Sequence, residues 1–555
     1  MSVLEVPRVS LVVLVGASGS GKSTFAAKHF LPTEVVSSDA CRGLVSDDEN
    51  DQAATADAFE VLEFIVGKRL ERGMLTVVDA TNVQPGARKR MVALAKAHDV
   101  LPTAVVLDVP PAVSQARNAG RPDRDLAPGV VKRQHDQLRR STRSLKREGF
   151  RHVHVLSSVE EIEAATFERT RLHNDLRHES GPFDVVGDVH GCRDELEQLL
   201  VRLGYELDRD DDGRPVDATH PQGRRAVFVG DLVDRGPDSP GVLRLVMGMV
   251  RAGHAFCVAG NHEAKLGRSL SGRKVSVSHG LETTLEQLER ESDDFRASVA
   301  RFVDGLIAHY VLDEGRLVVA HAGLKESYHG RASGRVRSFA LYGDTSGETD
   351  EFGLPVRYPW AEDYRGRATV LYGHTPTPTP EWVNNTMCLD TGCVFGGSLT
   401  ALRYPEREVV QVEAAATYYE PIRPLVAPGR DPQTLRLDDV LGPRVVETQH
   451  MGRVSLREEN AAGALEVMSR FAIDPARLAT CRRRCRRATP RPSTTTWSTP
   501  RRRSVITPGP GQRGSSARRS TWARAPCSSW TATVAASCTR ARVGHSSTAT
   551  SSPSC

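Results

Sequence analysis

The stretch Val9-Ser10-Leu11-Val12-Val13-Leu14-Val15-Gly16-Ala17-Ser18-Gly19-Ser20-Gly21-Lys22-Ser23-Thr24 decides the fold of the N-terminal part of the chain. Val9–Gly16 is a short apolar run ending in glycine, which reads as a fully buried parallel strand. Gly16–Ser23 is a complete G-x-x-x-x-G-K-S, and Lys22–Phe30 reads as a helix. A strand, a glycine-rich turn and a helix N-terminus together make a cradle for phosphate, because backbone N–H groups point at the anion. Lys22 would neutralise β and γ phosphates and Ser23 would ligate Mg²⁺, so ATP with Mg²⁺ is the expected cofactor.

Outward from this loop the pattern repeats. Apolar runs at Leu75–Val78 and Ala104–Leu107 alternate with helical segments, which predicts a P-loop NTPase-type α/β domain with a parallel sheet over residues 1–172. Arg133–Arg147 reads as a polar surface helix. In Val35-Val36-Ser37-Ser38-Asp39-Ala40-Cys41-Arg42, Asp39 lies just past a strand, where it can take a proton from an attacking hydroxyl. Arg42, one helical turn on, suits the acceptor phosphate or the transferring phosphoryl group. Arg117, Arg121 and Arg124 are spaced to form a lid over triphosphate.

A second set of motifs follows: Gly187-Asp188-Val189-His190-Gly191, Gly230-Asp231-Leu232-Val233-Asp234-Arg235-Gly236, Gly260-Asn261-His262-Glu263, His321-Ala322-Gly323-Leu324 and Gly373-His374-Thr375. Each comes just after an apolar run, the layout of an α/β active site. Leu207–Gln222 reads as a mobile polar loop. Paired divalent metals need a bridging carboxylate and a ring of hard or borderline ligands. Asp188 and His190 suit one metal, Asp231 the bridge, and Asn261, His321 and His374 the other. Arg235 suits phosphate oxygens. His262 suits phosphate or the leaving group, with Asp234 orienting its second ring nitrogen.

The ordered set is the signature of calcineurin-like binuclear metallophosphoesterases, a β-sandwich with flanking helices. That resemblance implies two Mn²⁺, which Ni²⁺ can replace. GASGSGKST, SSDACR, VVDATN and the arginine lid resemble the kinase module of polynucleotide kinases. The two modules in series resemble the bacterial polynucleotide kinase–phosphatases, RNA end-healing and sealing enzymes, over residues 8–477. The resemblance implies a 5′-kinase, a 2′,3′-phosphatase over residues 180–410 and a ligase-like adenylyltransferase beginning at 411–477. It places Asp390, in Leu389-Asp390-Thr391-Gly392-Cys393-Val394-Phe395-Gly396-Gly397, in the phosphatase site. RNA ends, a 3′-end RNA methyltransferase and a kinase-domain homodimer are the implied partners. Two readings compete: a small-molecule kinase fused to a protein or dinucleoside tetraphosphate phosphatase, and a non-catalytic RNA-binding remnant.

Composition sharpens this. The 555 residues carry 74 Lys+Arg, 69 Asp+Glu and a net charge of +5. Residues 481–555 hold 15 Arg and neither Lys, Asp nor Glu, so the preceding 480 are net −10. That tail also has 26 Ser+Thr and no apolar periodicity, and is expected to be disordered. Nucleotidyl transferases need a nucleophilic lysine, and beyond Lys274 only Lys325 remains. The adenylyltransferase activity is therefore expected to be absent. Codons can be chosen for Ser515–Cys527 that, regrouped out of phase, spell V-C-E-E-K-H-M-G-S-R-A-V, similar to a nucleotidyl-transferase lysine motif. One frameshift between about Arg477 and Cys481, which leaves 478–555 out of frame, is the expected cause. Cys41, Cys192, Cys257, Cys388 and Cys393 are scattered singly, which points to a reducing cytoplasm. No apolar run approaches the roughly 20 residues of a membrane helix.

Overall fold

The computed structural model describes residues 3–120, 129–350 and 353–422, and the backbone of 445–448 and 452–455. The expected lid residues Arg121 and Arg124, residues 456–477 of the expected adenylyltransferase start and the tail 478–555 lie outside the described residues.

The first domain is built on five parallel strands. Their order across the sheet is Val35–Ser37, Thr76–Asp79, Ser10–Val15, Leu101–Leu107, His152–Leu156. Ser10–Val15 is buried at every position, as its continuous apolar run requires. Helices cover both faces, giving one core around Leu11, Val13 and Val15 and another around Val12 and Leu14. The charged segment expected to be one helix is a helix over Val130–Ser141, a 3₁₀ turn and a short helix Leu145–Glu148. Val131, His135 and Leu138 bury one face of the first piece.

The second domain stacks two six-stranded sheets. The core between them draws Phe183, Val185 and Val227 from one sheet and Leu317, Val319 and Leu371 from the other. Helices Arg193–Leu203 and Ser239–Ala252 pack on one outer face, and Gly334–Tyr342 on the other. Three expectations are corrected here. Residues 207–222 contain an antiparallel hairpin, Glu206–Arg209 with Pro215–Thr219, rather than a loop. Gly248 permits it: a Cβ there would fall 1.6 Å from the Val216 carbonyl oxygen. The domain starts ahead of residue 180, because Asp175–Leu176 pairs with His309–Leu312. It also runs past 410, because Glu408–Glu413 pairs along Ser398–Tyr404 and Tyr418 and Tyr419 both bond to the Val394 carbonyl.

The domains meet through the loop before helix Gly334–Tyr342. Arg331 donates to the carbonyls of Leu70 at 2.9 Å and Glu71 at 2.7 Å, and also to that of His98. These carbonyls lie at helix C-termini, where a cation is favoured. Ser333 and Arg335 both bond to Asp99.

Candidate functional sites on the two domains

The glycine-rich loop opens onto a cavity of about 820 Å³. Gly19 and Gly21 have φ of 78° and 94°, the left-handed backbone this loop needs. Lys22 Nζ donates to the Gly16 and Ala17 carbonyls at 3.0 and 2.9 Å. Ser18, Ser23, Thr24 and Arg117 line the same cavity. Asp39 and Arg42 line it too, on helix Ser38–Ser46, whose N-cap is Ser37. Arg42 Nη1 bonds Asp39 Oδ1 at 3.0 Å, so the expected base and the expected phosphate-binding cation are preassembled.

In the second domain Asp188 and His190, Asp231, Asn261 and His262, His321, His374 and Asp390 follow six different strands, and the structure brings them together. Five of them or their neighbours adopt positive φ without being glycine: His190, Asp231, Asp234, Arg235 and His374, at 46° to 74°. Such strain persists where the surroundings enforce it, and it concentrates at functional sites. Close approach also demands glycine: a Cβ on Gly373 would sit 1.9 Å from Asp188 Oδ1.

Two groups of ligand-type atoms, each within 4.8 Å, share Asp231: His190, Asp231 and His262, and Asp231, His321 and His374. Asn261 Oδ1 lies 2.8 Å from His321 Nε2. His262 thus sits among the ligand-type groups as well as beside Arg235. The outer ring nitrogens are fixed: His190 Nδ1 on the Val233 carbonyl at 2.8 Å, His321 Nδ1 on the Val229 carbonyl at 3.0 Å, and His262 Nδ1 on Asp234 Oδ2 at 2.6 Å. With those nitrogens donating, each Nε2 lone pair faces the cluster, the arrangement of metal-binding histidines.

Electrostatics points the same way. Burial and the neighbouring carboxylates Asp390 and Asp231 raise Asp188 well above its ordinary range, and its Oδ1 is buried with no hydrogen-bond partner. Burial pushes Asp390 up to about 6. Burial also acts on Asp231, but His321 and His262 outweigh it and hold this carboxyl low. Burial, with Arg235 and His262, lowers His190; burial, with His321 and Arg357, lowers His374. Burial works against charge on His321 too, but Asp231 outweighs it and raises this imidazole. Carboxylates and imidazoles crowded together out of water suit divalent cations, so the residues present fit a two-metal centre.

Two residues here were missed by the sequence reading. Glu263 closes the motif Gly260-Asn261-His262-Glu263. Its buried carboxylate accepts the backbone N–H of Asp231 at 2.8 Å, Leu232 at 2.7 Å and Gly260 at 2.9 Å, tying two motif loops together. Burial and Asp231 push it up to about 7. Arg357 comes from the strand Pro355–Arg357 and reaches His374 Nε2. No local pattern marks it. Arg235 reaches the other ligand group, 2.8 Å from His190 Nε2 and 3.1 Å from His262 Nε2.

Comparison with known proteins follows this division. Residues 11–145 match the family described as AAA domain, and 181–398 match the family described as calcineurin-like phosphoesterase. The second region is similar to bis(5′-nucleosyl)-tetraphosphatase PrpE [asymmetrical] of Anoxybacillus flavithermus, 45% identical over 247 residues, which span 44% of this chain and 98% of that protein. The enzyme of the same name from Geobacillus thermodenitrificans is 48% identical, over 42% of this chain and 94% of its own length. That of Bacillus subtilis is 46% identical, over 43% and 97%.

Proposed function

The chain belongs to the calcineurin-like phosphoesterases through residues 181–398, and from that premise we propose that it is a two-site enzyme that repairs RNA ends. Its first domain phosphorylates 5′-hydroxyl ends from ATP with Mg²⁺. Its second removes 3′-phosphates and 2′,3′-cyclic phosphates with two Mn²⁺, for which Ni²⁺ can substitute. The observation that carries this is the pairing in one chain of the Asp39–Arg42 couple at a phosphate loop with a buried Asp–His phosphoesterase cluster. The two sites act on phosphate in opposite directions, which suits a polymer whose two ends need opposite corrections.

At the first site Lys22, Ser23 and Arg117 bind the nucleotide. Asp39 takes the proton of the attacking hydroxyl, and Arg42 holds it in register while offsetting charge on the phosphoryl group. At the second site Asp188, His190, Asp231, Asn261, His321 and His374 would hold the metals. Bound metals supply Lewis-acid polarisation of the phosphoryl oxygens. Arg235, beside His190 and His262, and Arg357, beside His374, bind those oxygens. Asp234 holds the His262 ring so that Nε2 faces the leaving oxygen, and Asp390 completes the anionic wall.

A second reading has its own support. The PrpE similarity favours a dinucleoside tetraphosphatase in the second domain. Matched assays separate the two: 3′-phosphate RNA, 5′-hydroxyl RNA with ATP, and bis(5′-nucleosyl) tetraphosphate, each with the full chain. Turnover of both RNA ends supports the proposal, and turnover of the tetraphosphate alone overturns it.

A further inference from the structure

Arg235 has an aromatic side. Its guanidinium edge meets His190 and His262, while its central carbon lies 5.3 Å from the Phe395 ring centroid and 6.0 Å from that of Tyr419. The two rings are 6.4 Å apart and inclined at 62°. Both are half-buried, so each keeps surface open to solvent.

The rings are fixed before anything binds. Backbone N–H groups of Tyr418 and Tyr419 both donate to the Val394 carbonyl at 3.0 Å, and Ala414 donates to Gly397 at 2.9 Å. Phe395 and Thr417 form an antiparallel bridge. Tyr418 Oη and the Ala415 N–H bond to Glu195 Oε1 at 2.8 and 3.0 Å. Glu195 belongs to helix Arg193–Leu203, which follows the loop of Asp188 and His190. The aromatic wall is therefore tied to the helix that directly follows the loop of Asp188 and His190.

We propose that Phe395 and Tyr419 form a nucleobase subsite beside Arg235, taking the base of the nucleotide whose phosphate is hydrolysed. A nucleotide carries its phosphate and its base one sugar apart, and any base offers a π-face to an aromatic ring, so the subsite is tolerant of sequence. The rings also hold the guanidinium in place through cation–π contact. The inference rests on the reading of the second domain as a nucleotide phosphatase. It deepens that reading by assigning the leaving group: a nucleoside, rather than a sugar or a protein side chain.

The test compares kcat/KM for adenosine 3′-monophosphate and for glycerol 2-phosphate, using the full chain with Mn²⁺. The wild type favours the nucleotide. In Tyr419→Ala that preference falls about tenfold, the scale of one lost stacking contact, and Tyr419→Phe retains it. Phosphate-free adenosine inhibits glycerol 2-phosphate hydrolysis by the wild type, with a Ki about tenfold higher in Tyr419→Leu and Phe395→Leu, which keep apolar bulk against Arg235. If the rings only buttress Arg235, both substrates decline together and the preference is constant; that result overturns the subsite. So does a wild type without preference for the nucleotide. A wild type that hydrolyses adenosine 3′-monophosphate but not 3′-phosphate RNA refutes the RNA-end reading instead, and the preference in the variants still decides the subsite.

Discussion

His262 Nδ1 lies 2.6 Å from Asp234 Oδ2, and both side chains are buried. That contact fixes the tautomer: Nδ1–H donates to the carboxylate, and Nε2 faces Arg235 with its lone pair. Asp234 is a positioning residue, acting through His262. Asp234→Asn presents an amide that can satisfy either tautomer, so the expected loss in phosphatase kcat is about 10–100-fold. The loss should fall on kcat, with KM little changed, because Asp234 does not touch the substrate. An unchanged kcat would remove Asp234 from the mechanism.

The two sites should fail separately. Asp39→Asn is expected to cut labelled phosphate transfer to 5′-hydroxyl RNA by about 10²–10⁴-fold, the contribution of a general base. Asp231→Ala should abolish release of 3′-phosphate, since Asp231 belongs to both ligand groups. Each variant should retain the other activity. Loss of both activities in either variant, with the fold intact by circular dichroism, would contradict the assignment.

Much of this geometry was legible in the sequence, for a physical reason. Phosphate cradles and metal clusters need particular side chains at fixed offsets from strand ends, so Gly16–Ser23, Asp188–His190 and Asp231–Arg235 announce themselves locally. Arg357 does not, because a long cationic side chain reaches a site from a sequence-distant hairpin without any spacing rule. Glu263 hid for a different reason. Its work is to accept backbone N–H groups, and that demand is visible only once the loops are closed. The strand Glu408–Glu413 crosses the expected boundary at 410 because its two glutamate ends and central glutamine give no burial signal of their own, and only its pairing with Ser398–Tyr404 assigns it to the phosphatase. Residues 207–222 are polar enough to read as a loop, yet Ala218 and Pro215 are buried beneath them.

Stability of the first domain should hinge on Arg88. It is fully buried and meets both oxygens of Glu148 at 2.8 Å, while also donating to the carbonyls of Asn82 at 2.9 Å and Val83 at 2.8 Å. Arg88→Met removes the only cation bonded to the Glu148 carboxylate among the described residues, leaving it the Ser144 hydroxyl at 2.6 Å, and takes a donor from two carbonyls. The expected cost is about 3–5 kcal/mol, the range for breaking a buried pair by removing one partner. Urea denaturation of the variant measures it, and a loss under about 1 kcal/mol would contradict the burial argument.

Acid should weaken the second domain through His309. Burial lowers this imidazole to about 3, and its Nε2 lies 2.9 Å from Asn174 Nδ2. The folded state holds the ring neutral, while the unfolded chain protonates it near its ordinary 6.5. The stabilisation is therefore complete above pH 6.5 and declines as pH falls from there towards 3. The decline is about 1.4 kcal/mol per pH unit for the one group. Relative to wild type, His309→Gln should show a shallower fall in Tm between pH 6.5 and 4.5. Parallel curves would rule out His309 as a source of acid lability.

One substrate carries the central claim: an RNA strand with a 5′-hydroxyl at one end and a 2′,3′-cyclic phosphate at the other. It is incubated with the full chain, ATP, Mg²⁺ and Mn²⁺, and both ends are read by mass spectrometry. The expected product has a 5′-phosphate and free 2′- and 3′-hydroxyls. Unchanged ends, while the same preparation consumes bis(5′-nucleosyl) tetraphosphate, would contradict the account.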